Sequence, residues 1–223
     1  MFIGVITNAV ILCTSLIGFL YGVFFILIHQ RPLYLKMVVL AMACMLVSRG
    51  YILLQYLVKG EEPAVFHVGM LGLMGCFLFL FSANYGMIDR LADDGSMQFM
   101  RYRIVCWLAP LIIVGGFIGF CLQKFSNPGS KLITYLAVIL IIALSSRYHF
   151  KHLIFPDVEY GVVRAIRGYN AVALLLCIST MVMIIADING YTGVYLGAGF
   201  TISLLCLILI PILKKEATKW TKI

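Results

Sequence analysis

The sequence predicts an all-α protein, a polytopic integral membrane bundle of seven transmembrane helices with its N-terminus outside and its C-terminus in the cytoplasm. Hydrophobic residues make up 63% of the 223 residues and charged residues only 12%, and the mean hydropathy is +1.05. The apolar residues form long segments, and the basic residues collect in the connections on alternate sides. A soluble domain carries about 25% charged residues, so this composition excludes a water-soluble enzyme, a nucleic-acid-binding module and a disordered chain.

Seven apolar segments approach or exceed the length of about 20 residues that a helix needs to cross the hydrocarbon layer. They lie at about 3–28, 37–58, 66–88, 104–123, 132–150, 168–188 and 192–213. Their continuous apolar runs differ from the alternating pattern of a transmembrane β-barrel. The connections are too short to fold separately, so residues 1–223 are predicted to form a single transmembrane domain.

The individual spans differ in regularity. No basic residue precedes the first, and its apolar run is too long for a cleaved signal peptide, so we expect it to remain as a helix. The fifth is the least regular, because its apolar core ends at Leu144, and we expect Arg147 to reach the headgroups from its end. Before the sixth span, Pro156 breaks the connection.

Small residues at helical spacing predict where the helices approach each other closely. The pairs are Gly18 and Gly22, Gly69 and Gly72, Gly115 and Gly119, and Gly193 and Gly197, on spans one, three, four and seven. The third span has the most small residues, so it is predicted to be the central helix of one compact bundle.

The distribution of basic residues predicts the orientation. Of the 17 lysines and arginines, 13 fall in the alternate connections that include the C-terminus, and three fall on the other side. Because cytoplasmic loops carry the excess of basic residues, the N-terminus is expected outside and the C-terminus inside. The net charge of +8 is therefore attributed to topology and not to a nucleic-acid partner. The expected location is the cell (cytoplasmic) membrane, as a multi-pass protein surrounded by membrane lipids.

One basic residue, Arg49, lies deep inside an apolar span. Charge inside a membrane is expensive and commonly marks a functional site, so we predict a ligand pocket that opens to the exterior, in which Arg49 meets an anionic or carbonyl group. The predicted ligand-binding residues are Arg49, Ser48, Tyr51, Gln55, Asn8 and Asp187. The alternative is that Arg49 snorkels outward, or pairs with Asp187 as a structural link.

A second polar group is expected at the inner ends of the spans, where it would couple the bundle to the cytoplasm. Its predicted members are Asp89, Arg90, Arg101, Arg103, Arg164 and Arg167. An acid–arginine pair at the inner end of the third span would form a lock that opens when the helices shift. The alternative is that these charges only set topology and bind anionic lipid.

Catalytic and cofactor signatures are not found in the sequence. The seven cysteines show no CxxC spacing, the four histidines fall near span ends, and neither paired catalytic acids nor a glycine-rich phosphate loop occurs. We therefore expect no enzyme activity, no metal and no cofactor.

These observations favour a non-enzymatic sensor or receptor-type bundle. A small ligand would bind from the exterior, and the basic cytoplasmic face would contact a cytoplasmic or membrane protein partner. The alternatives are a small facilitative transporter and a structural subunit of a larger membrane complex.

Overall fold

The computed structural model describes residues 2–29, 31–61, 63, 66–85, 88–89, 93–125, 130–156 and 162–220. Over these residues the regular structure is helical, and none of them forms a strand. Seven long helices, numbered in chain order, are α1 (Phe2–Gly22), α2 (Leu33–Lys59), α3 (Val68–Tyr85), α4 (Leu108–Phe125), α5 (Ser130–Ile154), α6 (Arg167–Asn189) and α7 (Thr192–Trp220).

All seven helices are long and apolar enough to cross a membrane, the arrangement of a multi-pass membrane protein. The prediction of seven long apolar helices is therefore confirmed. The fifth span, expected to be the least regular, is one continuous helix of 25 residues. Its Arg147 lies over the Trp107 ring, with the guanidinium carbon 4.0 Å from the ring centroid. α1 continues as a π-helical turn at Val23–Leu27, and short helices at Met97–Phe99 and Met100–Val105 lead into α4.

Two glycines end helices at one end of the bundle. Gly60 follows α2 and Gly190 follows α6, and both have left-handed backbone angles, with φ of 71° and 74°. The N–H group of Gly60 donates to the carbonyl oxygen of Tyr56 at 3.0 Å, which satisfies an end carbonyl of α2. Glycine adopts this conformation without the steric penalty of a side chain, so both helices stop sharply before the turn.

Six helices form a closed ring, and α4 packs on its outside. The order of contacts around the ring is α1, α2, α3, α5, α6 and α7, which returns to α1, while α4 contacts α5 and α6. In the apolar segment of each helix, 56% is buried in α6 and 44% is buried in α3. The most enclosed of the described helices is thus α6 and not α3 as predicted, because α6 contacts α4, α5 and α7, whereas α3 packs mainly against α2 and α5.

Glycines bring α2 and α3 close together, and α1 close to α7. A Cβ atom added at Gly72 would lie 2.9 Å from both the carbonyl oxygen of Cys44 and the backbone nitrogen of Ser48. One added at Gly18 would lie 2.9 Å from the carbonyl oxygen of Cys206 on α7. Backbone contact of this kind is the main source of helix association in lipid, where no hydrophobic driving force acts between helices. The predicted contacts of spans one and three are therefore present.

The other two glycine pairs do not make the predicted contacts. A Cβ atom added at Gly115 or Gly119 on α4, or at Gly193 or Gly197 on α7, would meet no described atom within 4 Å. α4 lies outside the ring and turns Gly115 and Gly119 away from it, and α7 packs through a different face that includes the buried Cys206. The close helix contacts predicted at these glycine pairs of spans four and seven were wrong for this reason.

Gly72→Leu should destabilise the bundle, because the new side chain would collide with the backbone of α2. We expect a loss of about 1–3 kcal/mol, the usual range for overpacking, seen as a lower midpoint of thermal unfolding in detergent. Gly119→Leu is the matched control, since it adds the same side chain to an open helix face. Equal midpoints for the two variants would contradict the close contact of α2 and α3.

Candidate functional site

Arg49 is a buried cation with an incomplete set of hydrogen bonds. The side chain projects from α2, and the residue is 2% exposed. Its Nη1 donates to Oδ1 of Asn8 at 3.0 Å, whereas Nε and Nη2 have no hydrogen-bond partner among the described residues. A guanidinium carries five N–H groups, and leaving buried donors unpaired costs free energy. The site therefore retains hydrogen-bonding capacity that a bound group would satisfy.

Asn8 orients this arginine and connects three helices. It is fully buried on α1, and its Nδ2 donates to the carbonyl oxygen of Gly4 at 2.8 Å and to the hydroxyl of Tyr195 at 3.2 Å. These two bonds leave Oδ1 turned to Arg49 as an acceptor. The contacts join α1, α2 and α7 near one end of the bundle, so Arg49 is held in place by neutral groups.

A small cavity adjoins the arginine and shares part of its wall with a larger one. The smaller, of about 30 Å³, is lined by Ser48, Arg49, Ile52, Pro63, His67, Gly69, Met70, Leu73, Tyr135, Met183, Ile184, Asp187 and Tyr195. The larger, of about 160 Å³, is lined by Ile3, Gly4, Tyr56, Ala186, Asp187, Gly190, Thr192 and Tyr195. Asp187 and Tyr195 line both. The Asp187 carboxylate accepts a hydrogen bond from the Tyr135 hydroxyl at 2.9 Å, which ties α5 to α6.

The predicted ligand-binding residues divide into two groups. Arg49, Ser48 and Asp187 line the smaller cavity, and Asn8 reaches it through its bond to Arg49. Tyr51 instead stacks on His67, with ring centroids 5.4 Å apart. Gln55 lines neither of these two cavities. Because Arg49 is buried, it does not snorkel outward, so that alternative is wrong.

Tyr56, Tyr135 and Tyr195 belong to the cavity walls but were not predicted. Each comes from a different helix, and a tyrosine within an apolar span is also common in ordinary membrane interfaces. Their convergence depends on how the helices pack, which the sequence pattern of one span does not reveal.

A second buried polar cluster lies toward the other end of the bundle. Asn84, His149 and Asn170 come from α3, α5 and α6, and all three are fully buried. Oδ1 of Asn170 lies 2.7 Å from Nδ2 of Asn84 and 2.9 Å from Nδ1 of His149. Nδ2 of Asn84 also lies 2.8 Å from Nδ1 of His149, so this nitrogen donates to Asn170 when it carries the imidazole proton and accepts from Asn84 when it does not. Nε2 of His149 has no hydrogen-bond partner among the described residues.

Sequence analysis missed this cluster as a unit. The histidines were expected near span ends, whereas His149 is completely enclosed, as is Asn84. Polar residues that face each other from three helices are expensive to bury unless they are hydrogen-bonded. The cluster therefore fixes the relative positions of α3, α5 and α6 at this level.

An ion-pair network continues from the cluster toward the end of α5. Nζ of Lys151 lies 2.7 Å from an oxygen of Asp89 and 2.9 Å from an oxygen of Asp93. Nε2 of His152 lies 3.3 Å from Asp89, and Nε of Arg103 donates to Asp93 at 2.9 Å. Lys151 thus bridges two carboxylates of the connection between α3 and α4.

Both carboxylates of this network are strongly held in the ionised form. The hydrogen bonds from Arg103 lower the pKa of Asp93 well below its usual value, and burial opposes them only in part. For Asp89, burial raises the pKa, but the bonds from His152 and Lys151 outweigh it, so the pKa is lowered overall. Two ionised acids therefore face three basic side chains.

The predicted coupling residues are only partly brought together. Asp89 lies in the network, but with Lys151 and His152 as partners, and the acid–arginine pair is Asp93 with Arg103. The remaining predicted residues lie elsewhere: Arg101 and Arg164 are exposed, Arg167 donates to the carbonyl oxygen of Phe155 at 3.3 Å, and Arg90 lies outside the described residues.

Glu216 supplies a further contact at this end of the bundle. Its carboxylate, on α7, accepts hydrogen bonds from the backbone N–H groups of Gly168 at 3.0 Å and Tyr169 at 2.9 Å. These N–H groups belong to the first turn of α6, where they lack partners within the helix and where the helix dipole favours a negative charge. Glu216 thus caps α6 from a neighbouring helix.

No protein-family model, curated protein or solved structure matches this chain. Function is therefore inferred from the chemistry of the two polar regions.

Asp93→Asn should reduce stability at neutral pH and make less difference in acid. Because the pKa of Asp93 is lower in the folded protein than its ordinary 3.8, its stabilising effect is complete above about pH 5 and falls as the pH drops below 3.8. The measurement is the thermal midpoint of both proteins in detergent from pH 7 to pH 3. Asp94→Asn, which changes an exposed neighbour, is the control. A difference that grew with acid would contradict the network.

Proposed function

We propose that this protein is a non-enzymatic membrane sensor of the receptor type. A small ligand binds at Arg49 from the exterior, and the helix bundle transmits its presence to the ion-pair network at the other end. A cytoplasmic or membrane protein partner then contacts the basic face. The location that we propose is the cell (cytoplasmic) membrane.

The observation that carries this proposal is the state of Arg49. A buried cation that served only as a structural link would be expected to have its donors satisfied within the protein, because an unpaired buried charge is strongly destabilising. Arg49 instead leaves Nε and Nη2 without a partner among the described residues, beside a cavity. An anionic or carbonyl group in that cavity would supply the missing acceptors.

The charge distribution supports the proposed direction of signalling. The cavities lie at the end where α2 and α6 finish and α1 and α7 begin. The ion-pair network and 13 of the 17 lysines and arginines belong to the opposite side. Under the positive-inside rule, the cavities then face the exterior and the network faces the cytoplasm.

Two helices connect the ligand site with the Asn84–His149–Asn170 cluster, and α5 continues from there into the ion-pair network. α5 carries Tyr135 at the outer site and His149, His152 and Lys151 near the inner end, and α6 carries Asp187 and Asn170. At 1.5 Å per residue, the two regions are separated by about 21 Å along α5 and about 25 Å along α6. A ligand that moves Asp187 relative to Tyr135 shifts α6 against α5, and that shift strains the His149–Asn170 contact.

The inner face offers exposed basic side chains to a partner. Arg101 and Arg164 are exposed on segments next to the network. A partner with an acidic surface would be attracted by these charges and would respond to their rearrangement.

Arg49→Met should abolish ligand binding without unfolding the protein. Methionine is apolar and of comparable length, and replacing an incompletely paired buried charge in this way is commonly neutral or stabilising. The measurement is the shift in thermal midpoint on adding acetate, inorganic phosphate, 4-methylpentanoate or L-leucine. We expect at least one of these probes to stabilise the wild type and none to stabilise Arg49→Met.

The control for this experiment is Gln55→Ala, which alters the same helix outside the two cavities. If Arg49 is instead a structural link, Arg49→Met should have a substantially lower thermal midpoint than the wild type when no probe is present. If no probe gives a shift that depends on Arg49, the sensor proposal fails. Flux of a stabilising probe into proteoliposomes would overturn it in favour of a facilitative transporter.

Lys151→Met should loosen the connection between α3 and α4. The variant removes the cation shared by Asp89 and Asp93, so hydrogen exchange over residues 93–105 should become about tenfold faster, which corresponds to roughly 1.4 kcal/mol. A probe that stabilises the wild type should also change exchange in this segment, although it binds at the other end. Arg164→Met, which removes an exposed charge from the same face, should leave exchange unaltered. Unchanged exchange in Lys151→Met would contradict the proposed coupling.

A further inference from the structure

The ends of three helices form another cavity, at the opposite end of the bundle from Arg49. α1 reaches it through the π-helical turn Val23–Leu27, α2 begins beside it, and α7 passes it near its C-terminal end. Its wall contains the cations Arg31 and Lys214 together with apolar side chains such as Phe25. Two positive charges thus line one small space, which we call the basic cavity.

Neither cation of the basic cavity is neutralised by a carboxylate of the described residues. The ion pairs formed within this part of the chain use other basic side chains. Nζ of Lys214 lies 3.7 Å from the Phe25 ring centroid and donates to the Tyr21 hydroxyl at 3.4 Å, contacts that orient the ammonium group without cancelling its charge. Glu216, two residues along α7, already accepts two backbone N–H groups of α6. An anion in the basic cavity would therefore be attracted by both charges.

The basic cavity is too small to enclose a free solute. Its volume is about 20 Å³, and one water molecule needs roughly 10–15 Å³ of such space, so it has room for one or two oxygen atoms. A projecting group fits this space, but a whole metabolite does not. The occupant is therefore the end of a molecule whose remainder lies outside the cavity.

The surface next to the basic cavity is apolar. Phe24, Ile28 and Leu33 are exposed, and each lies close in the chain to residues of the cavity wall. In a helix that crosses a membrane, exposed side chains of this type contact lipid hydrocarbon. A molecule that combines anionic oxygens with apolar chains is a phospholipid, and basic pockets between transmembrane helices are a recurring binding site for phosphate-bearing headgroups.

We propose that the basic cavity binds the phosphate group of an anionic phospholipid. The unesterified phosphate oxygens accept hydrogen bonds from Arg31 and Lys214, and an acyl chain lies along the exposed apolar surface. The bound lipid thereby holds the ends of α1 and α7 against the beginning of α2. This inference is independent of the proposed ligand site at Arg49, because it concerns other residues at the other end of the bundle.

Removing either cation should weaken lipid binding. Dioleoyl-phosphatidylglycerol is titrated into the full chain in a non-ionic detergent, and native mass spectrometry measures the fraction of protein that carries the lipid. We expect Arg31→Gln and Lys214→Gln each to bind about fivefold more weakly than the wild type, because each loses one basic side chain at the phosphate. Arg31 is exposed, so its replacement should not disturb folding.

The matched control is Lys215→Gln. It removes the same charge one residue further along α7, from an exposed side chain that does not line the basic cavity. This variant should bind the lipid nearly as tightly as the wild type. Equal weakening in Lys215→Gln, Lys214→Gln and Arg31→Gln would show general attraction to a positive surface, and the proposal of a site would be wrong.

Three further probes identify which part of the lipid is recognised. Dioleoyl-phosphatidylcholine has the same chains but a cation on its headgroup, whereas sn-glycerol 3-phosphate and inorganic phosphate have no chains. We expect all three to bind the wild type more weakly than phosphatidylglycerol. Equal affinity for phosphatidylcholine would show that the chains alone bind, and equal affinity for either soluble phosphate would assign the cavity to a soluble anion. Either result would overturn the assignment to an anionic lipid.

Discussion

The burial of the Arg49 guanidinium imposes the main constraint on its end of this bundle. Its charge lies inside a ring of apolar helices, and the one hydrogen bond that it makes to a described residue goes to the neutral Asn8. A buried cation with unmet donors lowers the stability of the unliganded state, and the proposed ligand site gives this cost a purpose. In that proposal the same unmet donors would give a ligand much of its affinity, because the protein is already organised around the absent acceptor.

The two polar regions depend on each other because they are built on the same helices. α5 and α6 each contribute to the cavities near Arg49 and to the Asn84–His149–Asn170 cluster. Packed helix interfaces switch between discrete arrangements and do not deform continuously, so a displacement at one end of α5 against α6 would be carried to the other end. If the outer ligand favours one arrangement of α5 against α6, then linkage requires that a partner which favours the same arrangement raises the affinity for the ligand.

Sequence reasoning predicted the number of helices and most of their bounds, because length and hydropathy are properties of each segment alone. It also identified Arg49, Asn8 and Asp187, since polar residues in apolar segments stand out. It did not find His149 with Asn170, or Lys151 between two acids, because those contacts depend on which helices are neighbours. For the same reason Gly115 and Gly193 were assigned to interfaces: helical spacing shows that small residues share a face, but not whether that face has a partner.

The chemistry of the ion-pair network limits the kind of signal that it could receive in the proposed sensor. Asp89 and Asp93 both have pKa values below the ordinary 3.8, so neither carboxylate changes its charge near neutral pH. Asp93 also accepts from Arg103, whereas Lys151 is the cation common to both acids. Because Lys151 belongs to α5, movement of that helix alters both ion pairs without any change in carboxylate protonation. The network is therefore suited to report helix position, which is the quantity that a ligand between Arg49 and Asp187 would change.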